Sequence, residues 1–288
     1  MNFLSTMLSG RDGAFGGSLN GVGANTSGSD TREDGAVQYG YSALQGKRPN
    51  MEDFTQAQFR RDPRSGKVFG FFGVFDGHGG PTAADYVRSN VFMNLMQHKA
   101  FQTDIYTAIR ESFVDTDNGY LRQDGSWNRD DGCTAVTAIL VGRRLVVANV
   151  GDSRAVLSKR GKAVPLTVDH KPNRLDERRR IESAGGVVVW AGTWRVGGVL
   201  AVSRAFGDRM LKQYVVASPD IHEEHLDQET EFLILASDGL WDVVSNQEAV
   251  QLVKDVPDAE EAANKLTREA FSRGSNDNIS CVVLRFSF

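Results

Sequence analysis

Apolar residues in this chain gather in strand-length runs, and from Val37 onward those runs are punctuated by glycine-, proline- and asparagine-bearing turns. The pattern predicts strands over 38–42, 54–59, 68–75, 134–141, 144–150, 155–159, 187–190, 199–203, 231–236 and 279–286. Val141-Gly142-Arg143 and Lys159-Arg160-Gly161 are too short to carry a crossover helix, so the strands they join pair as antiparallel hairpins. Helical spacing is equally plain. Val87, Val91 and Leu95 recur every fourth residue behind Pro81, and Ile105, Ile109 and Phe113 repeat the spacing, giving one helical layer. Ser245-Asn-Gln-Glu248 and Asp258-Ala-Glu-Glu261 are capping-box patterns opening helices through Val253 and Phe271. A further helix near 176–184 stops at Gly185-Gly186. Antiparallel strands with helices collected in blocks indicate an α+β layered fold rather than a doubly wound sheet.

Composition narrows the picture. Residues 1–36 are rich in Gly, Ser, Asn and Asp with few large apolar side chains after Leu8, so a disordered tail is expected ahead of a single domain over 37–288. A chain of 288 residues with 40% hydrophobic content can bury a sizeable core. The 37 acidic and 33 basic side chains leave a formal charge of −4 without any long basic block, which argues against nucleic acid as a partner. Cys133 and Cys281 are too few for a disulfide framework and fit a reducing compartment, the cytoplasm or the nucleus. No apolar run approaches the roughly 18 residues of a membrane span, so no membrane association is expected, and a monomer is the simplest state.

The chemistry begins at Phe69-Gly-Phe-Phe-Gly-Val-Phe-Asp76-Gly77-His78-Gly79-Gly80, an apolar run that delivers a carboxylate and a histidine at its end. Glu231-Phe-Leu-Ile-Leu-Ala-Ser-Asp238-Gly239 repeats the arrangement far downstream. One Asp-Gly pair is an ordinary turn dipeptide; two, each closing a buried-looking strand, suggest acids aimed at a common point. Glycine after each acid frees the backbone for a tight turn and lets a peptide carbonyl reach an ion, which makes Gly77 a candidate ligand. Glu52 and Asp53 lead into another strand, and Asp277 precedes the last one. Such a set of carboxylates favours Mg²⁺ or Mn²⁺ over zinc, whose His and Cys ligands are not clustered here. Arg48 is suited to gripping a phosphate, or alternatively to a surface ion pair with a carboxylate. His78 can serve as a general acid near neutral pH, whereas His98, His170, His222 and His225 read as structural.

These blocks, together with Ala148-Asn-Val-Gly-Asp-Ser-Arg154, Ala201-Val-Ser-Arg-Ala-Phe-Gly-Asp208 and Gly274-Ser-Asn-Asp-Asn-Ile-Ser280, resemble the metal-dependent serine/threonine protein phosphatases of the 2C type, plant members most of all. The resemblance spans essentially Gly40 to Phe288. It implies a four-layer α-β-β-α sandwich, two packed antiparallel sheets flanked by helix pairs, with two Mg²⁺ or Mn²⁺ ions at one end. It implies hydrolysis of phosphoserine and phosphothreonine in protein substrates by a water bridging the two ions. By position, Asp76 would bridge both ions, the Gly77 carbonyl would bind one, and Asp238 and Asp277 the other. Glu52 would act through metal-bound water, Asp53 would orient the attacking water, Arg48 would hold the phosphate and His78 would protonate the leaving oxygen. Asp152 and Asp242 match acids of an additional, weaker site. Gly132-Cys133-Thr134 departs from the serine many members carry before the threonine, and a small buried residue is the reading for Cys133. The alternative from another class is a catalytically silent scaffold of the same fold that binds proteins. Every expected ligand is nevertheless present. Cysteine-phosphatase chemistry is ruled out, because no arginine stands six positions after either cysteine.

Overall fold

Phe69, Phe71 and Phe75 pack toward one side of their strand, and Phe72 and Val74 toward the other. A strand that is apolar on both faces has to be covered on both, and the layering follows from that requirement. The computed structural model describes residues 25–62, 65–123 and 129–288. In chain order the strands β1 (Asn25–Thr31), β2 (Val37–Leu44), β3 (Phe54–Arg61) and β4 (Val68–His78) lead into helices α1 (Thr82–Gln97) and α2 (Ile105–Leu121). Then come β5 (Gly132–Val141), β6 (Arg144–Val150), β7 (Arg154–Lys159), β8 (Lys162–Pro165), α3 (Leu175–Ser183), β9 (Val188–Trp190), β10 (Trp194–Val196) and β11 (Phe206–Gly207). The chain finishes with β12 (Asp220–His225), β13 (Thr230–Ala236), the one-turn α4 (Asp238–Trp241), α5 (Asn246–Val253), α6 (Ala259–Ser272) and β14 (Ile279–Phe286).

The strands form two large antiparallel sheets, one ordered β1-β2-β14-β13-β7-β8 and the other β12-β6-β5-β4-β3 with β11 added beside β5, while β9 and β10 make a separate two-stranded pair. Between them lies a core of Phe72, Val74, Val136, Leu157, Leu233 and Leu284, all essentially without solvent contact. The outer face of the second sheet packs Phe71, Phe75 and Ile139 against α1 and α2. The outer face of the first packs Phe232, Ile234 and Val283 against α5 and α6. This is the α-β-β-α order that the sequence implied. Each fully buried phenylalanine contributes on the order of 2 kcal/mol of apolar burial, so Phe71 and Phe72 hold β4 from opposite sides.

Local signals behave as their chemistry dictates. Both short connections are hairpins, β5 to β6 and β7 to β8. Ser245 and Glu248 complete a reciprocal capping box on α5, while Asp258 caps α6 through its own carboxylate and the Glu261 N–H. Pro81 sits one position ahead of α1, whose free Ala83 N–H is met instead by the buried Asp131.

Two expectations are corrected. The tail was expected to be disordered over 1–36, yet residues 25–31 form β1, paired along its whole length with β2. A backbone ladder needs no apolar side chains, and the hydroxyls of Ser27 and Ser29 both bond Glu260. Residues 1–24 of that expected tail lie outside the described residues. Residues 199–203, expected as a strand, make only an isolated bridge from Leu200 to Val196, because Gly197 and Gly198 at φ of 60° and 77° fold the chain back. Leu200 and Val202 join Ile181, Val188 and Val215 in a small separate core under β9 and β10, while Val199 stays exposed. On α3, Arg178 pairs with Glu182 one turn on, but Arg180 does not take Asp176, which pairs with Arg174. Arg180 and Arg204 instead clamp the buried carboxylate of Glu177, which Ser203 also bonds. These charge-assisted bonds hold Glu177 down to about 2, despite burial that pushes the other way.

Candidate active site

The sequence places Asp76 at the end of an apolar run, and β4 carries it three residues further than the apolar pattern indicates. Asp76, Gly77 and His78 remain in register with Thr134, Cys133 and Gly132 of β5. Asp238 opens α4 directly after β13, in the other sheet. The two acids therefore approach from opposite layers. Carboxylate oxygens of Asp76, Asp152 and Asp238 all lie within 4.8 Å of one another. Around them is an open cavity of about 300 Å³ whose wall also includes Arg48, Glu52, Gly77, His78 and Asp277. Three larger, shallower depressions elsewhere contain none of the site residues read from the sequence.

Both Asp-Gly glycines are explained by crowding rather than by turn geometry, since neither has a positive φ. A Cβ at Gly77 would stand 2.5 Å from the Glu52 carbonyl oxygen, and one at Gly239 would stand 1.9 Å from that of Asn278. Asn278 is the tie between these segments. Its amide donates to the carbonyls of Gln45 and Asn50, and its side-chain oxygen accepts from the Glu52 N–H at 2.8 Å. Glu52 in turn accepts from the Gly80 N–H at 3.1 Å, which fixes its carboxylate beside the Asp76 loop.

Asp53 departs from expectation in position. It is buried and absent from the cavity wall, lying behind it with its carboxylate accepting from Ser237 Oγ at 2.9 Å. Burial pushes Asp53 up to about 7 against that hydrogen bond, and the charge of Asp277 adds to the rise. Burial likewise drives Asp76 well above the carboxylate range, with repulsion from Asp53, Asp238, Asp152 and Asp277 behind it. Asp238 rises for the same reasons, burial first and then Asp152 and Asp277. Without added positive charge, this site holds protons that ordinary carboxylates would have released. The donor set fits hard divalent cations: all oxygen, several formal negative charges, and no thiolate or imidazole among the three converging groups.

Arg48 lies on the rim, its guanidinium bonded to Asp277 at 2.7 Å. That is the ion pair weighed in the sequence, formed with a proposed ligand at the cavity itself. His78 presents Nε2 to both oxygens of Asp208 at 2.9 Å. Burial alone would lower the imidazole, but the Asp208 carboxylate outweighs it, so His78 keeps its proton above the ordinary histidine range. The pair exists because residue 132 is glycine: a Cβ there would meet Asp208 Oδ2 at 2.2 Å and His78 Nε2 at 2.3 Å.

Sequence reading missed Asp208 as a partner and gave Asp152 only a peripheral role. Asp152 carries the same signal as Asp76 and Asp238, an acid just past an apolar strand, here β6. Asp208 carries none, being brought to His78 from 130 positions away.

Comparison with known proteins decides the family. The family model described as Protein phosphatase 2C matches residues 37–279. The chain belongs to the protein phosphatase 2C family. It is 59% identical over 260 residues to "Probable protein phosphatase 2C 59" of Arabidopsis thaliana, covering 90% of this chain and 83% of that relative. A rice relative, "Probable protein phosphatase 2C member 13, mitochondrial", is 57% identical over 92% of this chain and 73% of its own length. The crystal structure of serine-threonine phosphatase 2C from Toxoplasma gondii superposes with a TM-score of 0.81 at 26% identity, covering 88% of this chain and 95% of that one. Membership makes this chain a metal-dependent protein serine/threonine phosphatase, and nothing in the fold favours the silent scaffold. Among the described residues no helix is long and apolar enough to cross a membrane.

Proposed function

We propose that this chain removes phosphate from phosphoserine and phosphothreonine in proteins by direct attack of water on phosphorus, using two Mg²⁺ or Mn²⁺ ions. The observation that carries this reading is the convergence of Asp76, Asp152 and Asp238 from three separate strand ends onto one open cavity. Asp76, the Gly77 carbonyl, Asp238 and Asp277 would hold the ions, with Glu52 acting through water. When bound, the ions supply positive charge to the phosphoryl oxygens and make water acidic enough to attack near neutral pH.

The protein's own groups do the rest. Arg48 stands exposed on the rim, where guanidinium donors not used by Asp277 can grip phosphate oxygens. Asp53, lying behind the wall, keeps Asp76 and Ser237 in place and so aligns the water indirectly. His78 gives its proton to the departing serine or threonine oxygen, Asp208 holding the ring through Nε2 and leaving Nδ1 for the substrate. An open cavity of this size admits a phosphorylated side chain on an extended segment, so phosphoproteins are the substrate class. The span 37–288, with β1 added at the edge of its first sheet, would act as one catalytic domain and as a monomer, in the cytoplasm or nucleus.

Two measurements test this. Purified protein with Mn²⁺ should release inorganic phosphate from a phosphothreonine peptide, and acid quenching should trap no phosphorylated enzyme. Absence of hydrolysis, or label on the protein, would sink the proposal. His78→Gln should lower the rate on phosphothreonine peptide about 100-fold, with a much smaller loss on an aryl phosphate whose leaving group needs no proton. Equal losses on both substrates would remove His78 from the proton-donor role.

A further inference from the structure

Lys171 places Nζ 2.5 Å from Oδ2 of Asp152, the acid that converges with Asp76 and Asp238. The positions of the two partners are not alike. Asp152 is buried, whereas the Lys171 side chain is 40% exposed and has a path outward. Its backbone, by contrast, is pinned. The preceding His170, fully buried, bonds Gly151 in both directions, receives the Ser203 N–H on its carbonyl and meets Asp220 through Nε2. Lys171 is thus anchored by its backbone beside the Gly151–Asp152 turn, while its ammonium reaches Asp152 on a four-carbon stem with several rotatable bonds. Asp238 and Asp242 are the next acids within reach of its charge.

We infer that Lys171 is a tethered cation that competes with a divalent ion for the Asp152 carboxylate, an inference that rests on the metal-centre reading above. An ammonium and a divalent cation cannot share one carboxylate oxygen without close repulsion. With Lys171 in place, Asp152 is neutralised and the cluster is left to Asp76, Asp238 and Asp277. When Lys171 withdraws, Asp152 becomes a ligand and a weaker ion can enter beside Asp238. A carboxylate free for only about one-tenth of the time binds its ion about tenfold more weakly in appearance. Lys171 therefore sets the cation concentration at which the weak position fills, separately from the tight positions.

The test is Mn²⁺ titration of the whole chain by calorimetry, with bound ions counted independently by electron paramagnetic resonance. Wild type should show tight binding followed by a weak step. Lys171→Met and Lys171→Gln should each tighten the weak step about tenfold while leaving the tight step within twofold. In an Asp152→Asn background the weak step should vanish and Lys171→Met should change nothing further. An unaltered weak step, equal tightening of every step, or an effect of Lys171→Met that survives Asp152→Asn would overturn the inference while leaving the metal-centre reading intact. A wild-type chain that binds no Mn²⁺ at all overturns both. Melting curves in chelator give a second measure: Lys171→Met should melt below wild type without metal and match it with excess Mn²⁺. Identical melting without metal would contradict the charge-balancing role.

Discussion

Asp76→Asn is expected to silence hydrolysis of phosphothreonine peptides, by at least about 1000-fold at saturating Mn²⁺, with the fold preserved. Asp76 meets Asp238 from the opposite sheet and Asp152 at the end of its own sheet, and burial already favours its uncharged form in the absence of cations. Asparagine mimics that neutral form in shape, so far-ultraviolet circular dichroism should not change. What disappears is the negative charge that makes the centre attractive to divalent ions, and Mn²⁺ affinity should fall with activity. Turnover within tenfold of wild type at saturating Mn²⁺ would show that Asp76 is not central.

Removing divalent cations should have an equally large effect on activity and should also change how stability depends on pH. In chelator, phosphate release from the same peptide should drop to background. Under those conditions Asp53, lifted to about 7, and Asp76 and Asp238, also lifted well above the carboxylate range, bind protons that the unfolded chain releases near 4. Between about pH 4 and 7 the folded state holds more protons than the unfolded one, so rising pH destabilises it. The melting temperature in chelator should therefore fall from pH 5 to 8. With excess Mn²⁺ the protons are displaced, the fall should disappear, and the gap between the two curves should widen with pH. A melting temperature that rises across this range in chelator would mean the acids are not held against their charge.

Much of this was written in the sequence where a local signal coincides with a structural need. The β4 run is apolar at every position from Phe69 to Phe75 because both of its faces are buried, and its Asp76 follows from strand direction alone. Capping at Ser245 and the hairpin at Gly142 are local in the same sense. What was hidden depends on contacts between distant segments. No pattern near His78 announces Asp208 or the need for Gly132, and Gly239 looks like a turn residue until the Asn278 carbonyl is seen against it. The strand β1 was unreadable because its pairing uses backbone and two serines, while residues 199–203 misled because apolar residues can fill a small irregular core as well as a sheet.

Asp76 belongs to one leaf of the sandwich and Asp238 follows a strand of the other. Ions gripped by both would act as a clasp, fastening the leaves at the end where like charges otherwise push them apart. At the far end the leaves are held by ordinary packing around Phe286 and Phe288. The sandwich would then open like a book from its charged edge when the clasp is absent, and from its greasy spine when it is closed.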